Sequence, residues 1–263
     1  MNLNRFYRGI TQNNTQNHAE ISASFRVASE ASMLIGGLQK LTLIDYPGKL
    51  AATVFSVGCN FLCPFCHNPE LVDPEKSKKQ PRIGEAELFD FLVARLGLLE
   101  GVCVTGGEPT LQADLPEFIK KIKDLGYLVK LDTNGSSPLM LERVLNDKLV
   151  DYVAMDIKVP LEKYKKIVGP AVKLEDIQRS VELTRLAPDY EFRTTVLPSL
   201  HSAKDILSIG RWLQGAKKYY LQQFRPTKCL DSAYENEKPF DSEKLVKICN
   251  GLKIFFDECG IRE

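Results

Sequence analysis

A chain of 263 residues with 44% apolar and 26% charged side chains can bury a large core of its own without metal staples. Its 35 basic and 34 acidic residues leave a net charge of +1 with no long run of one sign, which argues against the basic footprint of a nucleic-acid binder, and no apolar run approaches the roughly 18 residues of a membrane span. Seven cysteines, three of them crowded too closely to pair comfortably, fit a reducing compartment, so the protein reads as soluble and cytoplasmic.

Residues 1–32 are rich in Asn, Gln, Ser and Thr without a sustained period and read as a disordered extension, leaving 33–263 as a single domain. From Leu50 onward, apolar strand-like runs alternate with helical ones, the pattern of a parallel α/β fold. The first strand, 51–57, runs straight into GCNFLCPFCHNP, where Cys59, Cys63 and Cys66 fall within eight residues. That spacing suits three irons of a cubane cluster. A [4Fe-4S] cluster is normally held by four thiolates, so one iron would stay open for chemistry. Rival readings are a haem attachment sequence, a redox CPFC pair, and a zinc site using the three thiolates with His67. Haem and redox pairing leave Cys59 unexplained, and His67 is cramped against Cys66.

A helix is predicted around 85–96 from the stripe Leu88, Phe89, Leu92, Val93 and Leu96. Strand 101–105 then gives Thr105, Gly106, Gly107, Glu108 and Pro109, where the glycines admit close backbone approach to a ligand and Glu108 can accept from an ammonium. Helix 114–125 is predicted to start at Asp114 as its cap, with Glu117 three residues on, and to end at Gly126. Strand 127–132 leads into Asp132, Thr133, Asn134 and Gly135; strand 151–156 into Asp156 and Lys158, two apart and so on one face. The structural alternatives are an ordinary turn at GGEP, an Asx-turn after Asp132, and a salt bridge filling the barrel at Asp156 and Lys158. Strand 191–197 carries Arg193 and Thr195, and strand 218–223 ends in Gln222 and Gln223; Arg193 and Gln223 join the ligand-binding candidates. A last helix, 241–259, would put Leu245, Ile248, Cys249, Leu252, Phe255, Phe256 and Cys259 on one face, which makes its two cysteines core residues. Cys103 reads the same way within its strand, and Cys229 lies in a loop. Six polar strings at the carboxyl ends of six predicted strands mark one face as the reaction site.

With CxxxCxxC after the first strand, Phe65 before the last cysteine and GGEP after the second, the chain resembles the radical S-adenosylmethionine (SAM) superfamily over roughly 34–225. More narrowly, LQKLTLIDYPGKLAATVFSVGCNFLCPFCHNPELV, LDTNG at 131–135 and MDIK at 155–158 resemble the activating proteins of anaerobic ribonucleoside-triphosphate reductase, relatives of pyruvate formate-lyase activating enzyme. The resemblance implies a partial (β/α)6 TIM-like barrel of the radical SAM type with a parallel sheet, and one [4Fe-4S] cluster on Cys59, Cys63 and Cys66 whose open iron chelates SAM. It further implies Phe65 beside the adenine, Gly106, Gly107 and Glu108 at the methionyl amino group, and Asp132, Thr133, Asn134, Asp156 and Lys158 around the carboxylate and ribose. A monovalent cation near the aspartates is a further expectation. The implied reaction is reductive cleavage of SAM and hydrogen abstraction from a glycine of the reductase, with flavodoxin or ferredoxin as electron donor. Where the pyruvate formate-lyase relative has a histidine at the end of the sixth strand, this chain reads LQQFRP. Two other readings stand beside it: a radical enzyme acting on a small molecule, like 7-carboxy-7-deazaguanine synthase, and a zinc-stabilised binding module.

Overall fold

A computed structural model describes residues 32–262, so the extension predicted at 1–32 lies outside the described residues apart from Ser32. Eight strands form one sheet in sequential order: β1 (Ile35–Thr42), β2 (Ala51–Ser56), β3 (Gly101–Gly106), β4 (Leu128–Thr133), β5 (Tyr152–Asp156), β6 (Asp189–Val196), β7 (Lys218–Gln223) and β8 (Glu258–Arg262). β1 pairs antiparallel with β2, and every later pairing is parallel. The crossovers are α1 (Glu85–Val93), α2 (Leu115–Asp124), α3 (Pro138–Asn146), α4 (Leu174–Thr184), α5 (Ala203–Trp212) and α6 (Ser242–Leu252). From β2 to α6 these make the six βα units expected, and the sheet is open between β8 and β1. No helix is long and apolar enough to cross a membrane among the described residues.

Strand periodicity divides the sheet into two faces. Val102 and Val104, Val129 and Leu131, Val153 and Met155, and Tyr219 and Leu221 join Leu88, Phe118, Ile119, Ile177 and Ile206 of the helices in the main core. Each such fully buried Leu, Ile or Val contributes roughly 1.5–3 kcal/mol relative to exposure. The alternate residues face inward and are largely polar, with a small apolar plug of Tyr46, Ala51, Tyr152 and Ala154.

Three expectations are corrected. The last helix stops at Leu252; after a turn at Lys253–Phe255 the chain enters β8 and pairs with β7. Backbone bonds Gly215 N–H to Phe255 O (2.8 Å) and Glu258 N–H to Lys217 O (2.8 Å) draw it onto the sheet edge. β1 was not anticipated. Asp114 does not cap α2: its side chain accepts no bond from the first turn, its Oδ2 is buried without a partner, and burial pushes its carboxyl above the ordinary value. Such a group favours folding below the unfolded carboxyl pKa and opposes it as pH rises. Asp114→Asn is therefore expected to leave the melting temperature at pH 7 unchanged or raised, whereas loss of a working cap would cost about 1 kcal/mol.

Candidate functional site

The loop after β2 is held in shape largely by its neighbours. Gly58 adopts φ +94°, donates to Leu71 O at 2.8 Å and accepts from Glu108 N–H at 2.8 Å, while Gly107 N–H reaches Ser56 O at 2.9 Å. A Cβ on Gly106 would stand 2.4 Å from Ser56 N and one on Gly107 2.1 Å from Gly58 O, which is why glycine both ends β3 and follows it. Gly107→Ala is thus expected to displace the cysteine loop and lower iron retention after reconstitution severalfold, read by iron and sulfide analysis; a wild-type iron content would contradict it. On its flanks the loop is fastened by Leu62 N–H to Val168 O (3.0 Å), Leu230 N–H to Cys66 O (3.0 Å) and Asp231 N–H to Pro64 O (2.9 Å).

A cavity of about 200 Å³ opens at the carboxyl ends of the strands, lined by Cys59, Cys63, Cys66 and Phe65, by Gly106, Gly107 and Glu108, and by Asp132, Thr133, Asn134, Asp156 and Lys158. Twelve of the fourteen residues singled out in the sequence therefore meet at one place. The remaining two do not line it. Arg193 lies beneath the cavity floor, and Gln223 turns its amide N–H to Phe240 O at 2.7 Å. Thr105 and Thr195 also border the cavity.

The floor is a buried charge network. Arg193 donates from Nε to Asp156 Oδ1 (2.8 Å) and from Nη2 to Asp132 Oδ2 (3.1 Å); Lys130 bonds Asp132 Oδ1, and Lys158 donates to Asp156 Oδ2 at 3.0 Å. All four carboxylate oxygens thus face cations of the chain itself. Burial alone would raise both carboxyls, yet Arg193, with Lys130 at Asp132 and Lys158 at Asp156, holds each below the usual range. Lys158, raised by the same Asp156 against the effect of burial, keeps its charge. Deeper still, Glu191 is fully buried and takes both Nη groups of Arg262 at 2.6 Å and the hydroxyl of Tyr152 at 2.7 Å. Sequence reasoning noticed the Asp156–Lys158 spacing but missed Lys130–Asp132 on β4 and Glu191–Arg193 on β6, which repeat it.

Glu108 is committed differently from expectation. It is 1% exposed. Its Oε1 accepts from Thr133 Oγ1 (2.8 Å) and from the Thr110 backbone and hydroxyl, and its Oε2 from Asn134 N–H (2.6 Å). The carboxylate therefore ties the loop after β3 to that after β4, and burial pushes its pKa up despite those donors. Asn134 Nδ2 then points at Asn60 Oδ1 (3.2 Å) and Cys59 Sγ (3.7 Å).

The donor set fits an iron–sulfur cluster. Three thiols ring one cavity, whereas the described residues contain no group of three or more His, Cys, Asp and Glu side chains drawn together for a single metal ion. His67 does not complete a zinc site with them: its Nε2 lies 3.0 Å from Arg225 O, and its ring stacks on Phe224 at 5.1 Å and 14°. Burial raises all three thiols, Cys59 to about 12 and Cys63 to about 11, against the pull of Lys158. Ligation requires thiolate, so cluster binding releases protons and strengthens as pH rises.

Comparison with known proteins agrees with this donor set. The Radical SAM superfamily profile matches residues 53–203. A protein of Methanocaldococcus jannaschii assigned as a glycyl-radical enzyme activating enzyme is 33% identical over 239 residues, covering 87% of this chain and 95% of its own. The pyruvate formate-lyase-activating enzyme of Clostridium pasteurianum is 29% identical over 178 residues, covering 65% of this chain and 71% of its own. Among solved structures, QueE from Escherichia coli superposes with TM-score 0.56 at 14% identity over 88% of this chain and 94% of that one, a likeness of fold. The chain belongs to the radical SAM superfamily, whose enzymes use a [4Fe-4S] cluster and S-adenosylmethionine.

Proposed function

We propose that this protein is an activating enzyme that installs a glycyl radical on a partner protein, and that the partner is anaerobic ribonucleoside-triphosphate reductase. The observation that carries the reading is the convergence of three thiols, Lys158 and the Gly106–Gly107 backbone on one cavity, in a chain spanning 95% of a relative assigned to glycyl-radical activation. When bound, the cluster and SAM supply one-electron reductive cleavage of the sulfonium and a hydrogen-abstracting radical. Cys59, Cys63 and Cys66 would hold the cluster. The chain's own part is binding and exclusion. Lys158, whose ammonium has one carboxylate oxygen as partner and borders the cavity, faces the anionic group of the ligand. Phe65, 5% exposed, supplies an apolar wall that keeps water from the reacting centre. The narrower choice of partner rests on the LIDYPG, LDTNG and MDIK segments. Flavodoxin or ferredoxin would deliver the electron.

The test is electron paramagnetic resonance on anaerobically reconstituted, reduced protein with SAM, with and without the reductase. A glycyl doublet that requires both proteins and SAM is the expected result. Deoxyadenosine formation without the doublet would move the target to another glycyl-radical protein or to a small molecule.

A further inference from the structure

Lys158 lies two residues beyond the end of β5, where the sheet no longer holds the chain. Its neighbour Ile157 is still anchored in the ordinary way, donating to Arg193 O at 2.8 Å and accepting from the Thr194 hydroxyl at 2.8 Å. Lys158 is held otherwise: its N–H donates to the Tyr164 hydroxyl at 3.1 Å, and its carbonyl accepts from His201 Nε2 at 2.8 Å. Both backbone groups of the residue that presents the cavity's ammonium are therefore tied to side chains, one from the short helix Tyr164–Val168 in the connection after β5 and one from the connection after β6.

Those side chains are set rigidly. Tyr164 and His201 are 0% and 1% exposed. Tyr164 packs edge-on to Trp212 at 6.3 Å. Leu197 N–H donates to His201 Nδ1 at 3.2 Å, which places the imidazole proton on Nε2, the atom aimed at Lys158 O. A second tie joins the same two connections: Lys163 Nζ donates to Asp205 Oδ2 at 2.7 Å, within the capping box Ser202 forms at the start of α5.

We propose that His201 and Tyr164 are positioning residues for SAM binding, fixing the Lys158 backbone and through it the direction of its ammonium into the cavity. The inference rests on reading Lys158 as the group that faces the ligand's anion. An arrangement that needs the Nε2–H tautomer cannot be supplied by an apolar side chain of similar size, and removing the donor strands a carbonyl next to a ligand-binding group. Sequence reasoning had no access to this, because nothing in the LPSLHS turn shows that the second ring nitrogen of its histidine meets Lys158 O, 43 residues away.

The test uses the reconstituted holoenzyme and measures SAM affinity by isothermal titration, together with iron content and melting temperature. His201→Ala is expected to bind SAM about tenfold more weakly with its iron content intact, while His201→Gln, which can restore a donor near Nε2, recovers to within about threefold of wild type. Tyr164→Phe is expected to move in the same direction. In a Lys158→Met background, His201→Ala should cause no further loss, since the effect travels through Lys158. Nitrogen-15 spectra of the wild-type protein should show the neutral Nε2–H tautomer of His201 at pH 7; this, with the Gln variant, decides the matter should the Ala variant not fold. Unchanged SAM affinity in His201→Ala, an additive loss in the Lys158→Met background, or the other tautomer would overturn the proposal. Wild-type holoenzyme that fails to bind SAM would instead overturn the reading of the cavity itself.

Discussion

Replacing Cys63 by serine is expected to give a folded, colourless protein with no SAM cleavage. The substitution is nearly isosteric but puts a hydroxyl at a site 7% exposed, so the stability loss should stay within the roughly 1–3 kcal/mol of a buried unsatisfied polar group. The loss of cluster should be far larger, beyond the roughly 10–100-fold that removal of a mere outer-shell partner costs a metal site. No other thiol stands ready to replace it. Cys103 is enclosed in β3, with Lys130 Nζ at 3.8 Å. Cys229 is turned to Thr227 O at 3.3 Å, and Cys249 and Cys259 face each other at 3.8 Å between α6 and β8. Iron and sulfide analysis, visible absorbance and deoxyadenosine production measure the outcome. Full iron content with retained cleavage would remove Cys63 from the ligand set.

Arg193→Leu is expected to have the largest effect on stability, about 3–5 kcal/mol, because it leaves buried carboxylates without their shared partner. Arg193 spans Asp156 at 2.8 Å, Asp132 at 3.1 Å and Glu191 at 3.8 Å, a geometry available to a planar fork but not to an ammonium. Arg193→Lys should therefore restore only part of the loss. The sign of the pH dependence follows from the depressed carboxyls of Asp132 and Asp156. Their contribution to stability is fully present above the unfolded aspartate pKa of about 3.9 and disappears as pH falls through the folded values. In the variant those carboxyls rise and take up protons earlier. The deficit against wild type should thus be greatest near pH 7 and shrink toward pH 4 in urea unfolding. A deficit below about 1 kcal/mol, or one that does not change with pH, would show that the network carries little of the fold's stability.

The sequence disclosed the site better than the edges of the sheet. β2 to β7 are apolar runs bounded by polar strings, and each lies within two residues of its expected limits. Period alone marks them because one face of each strand packs on helices. β1 was hidden by its composition: IGGLQKLT has two glycines directly after its first residue and carries exposed polar residues, a poor strand by propensity that pairing with β2 sustains. β8 was read as helix because Phe255, Phe256 and Cys259 continue the spacing of α6. There the edge of β7 and the bidentate grip of Glu191 on Arg262 outweighed local pattern. Glu108 and Gln223 show a different limit. Their placement at strand ends was legible, but the distant groups that engage the Glu108 carboxylate and the Gln223 amide N–H, Thr133, Asn134 and Phe240, are fixed by contacts between segments far apart in sequence.

An open sheet exposes two margins to a crowded solution, and an unpaired strand margin is a template for intermolecular stacking. Each margin here is made a poor template. β1 is interrupted by irregular register on both sides of its Gly37–Gln39 stretch, and Ile83 bridges Ile35. β8 is only five residues long, beginning at Glu258 and ending at Arg262, whose guanidinium is drawn inward to Glu191. At the β8 margin one residue serves both ends: Arg262, which draws the strand edge inward, is also the partner that braces Glu191 beneath the cavity.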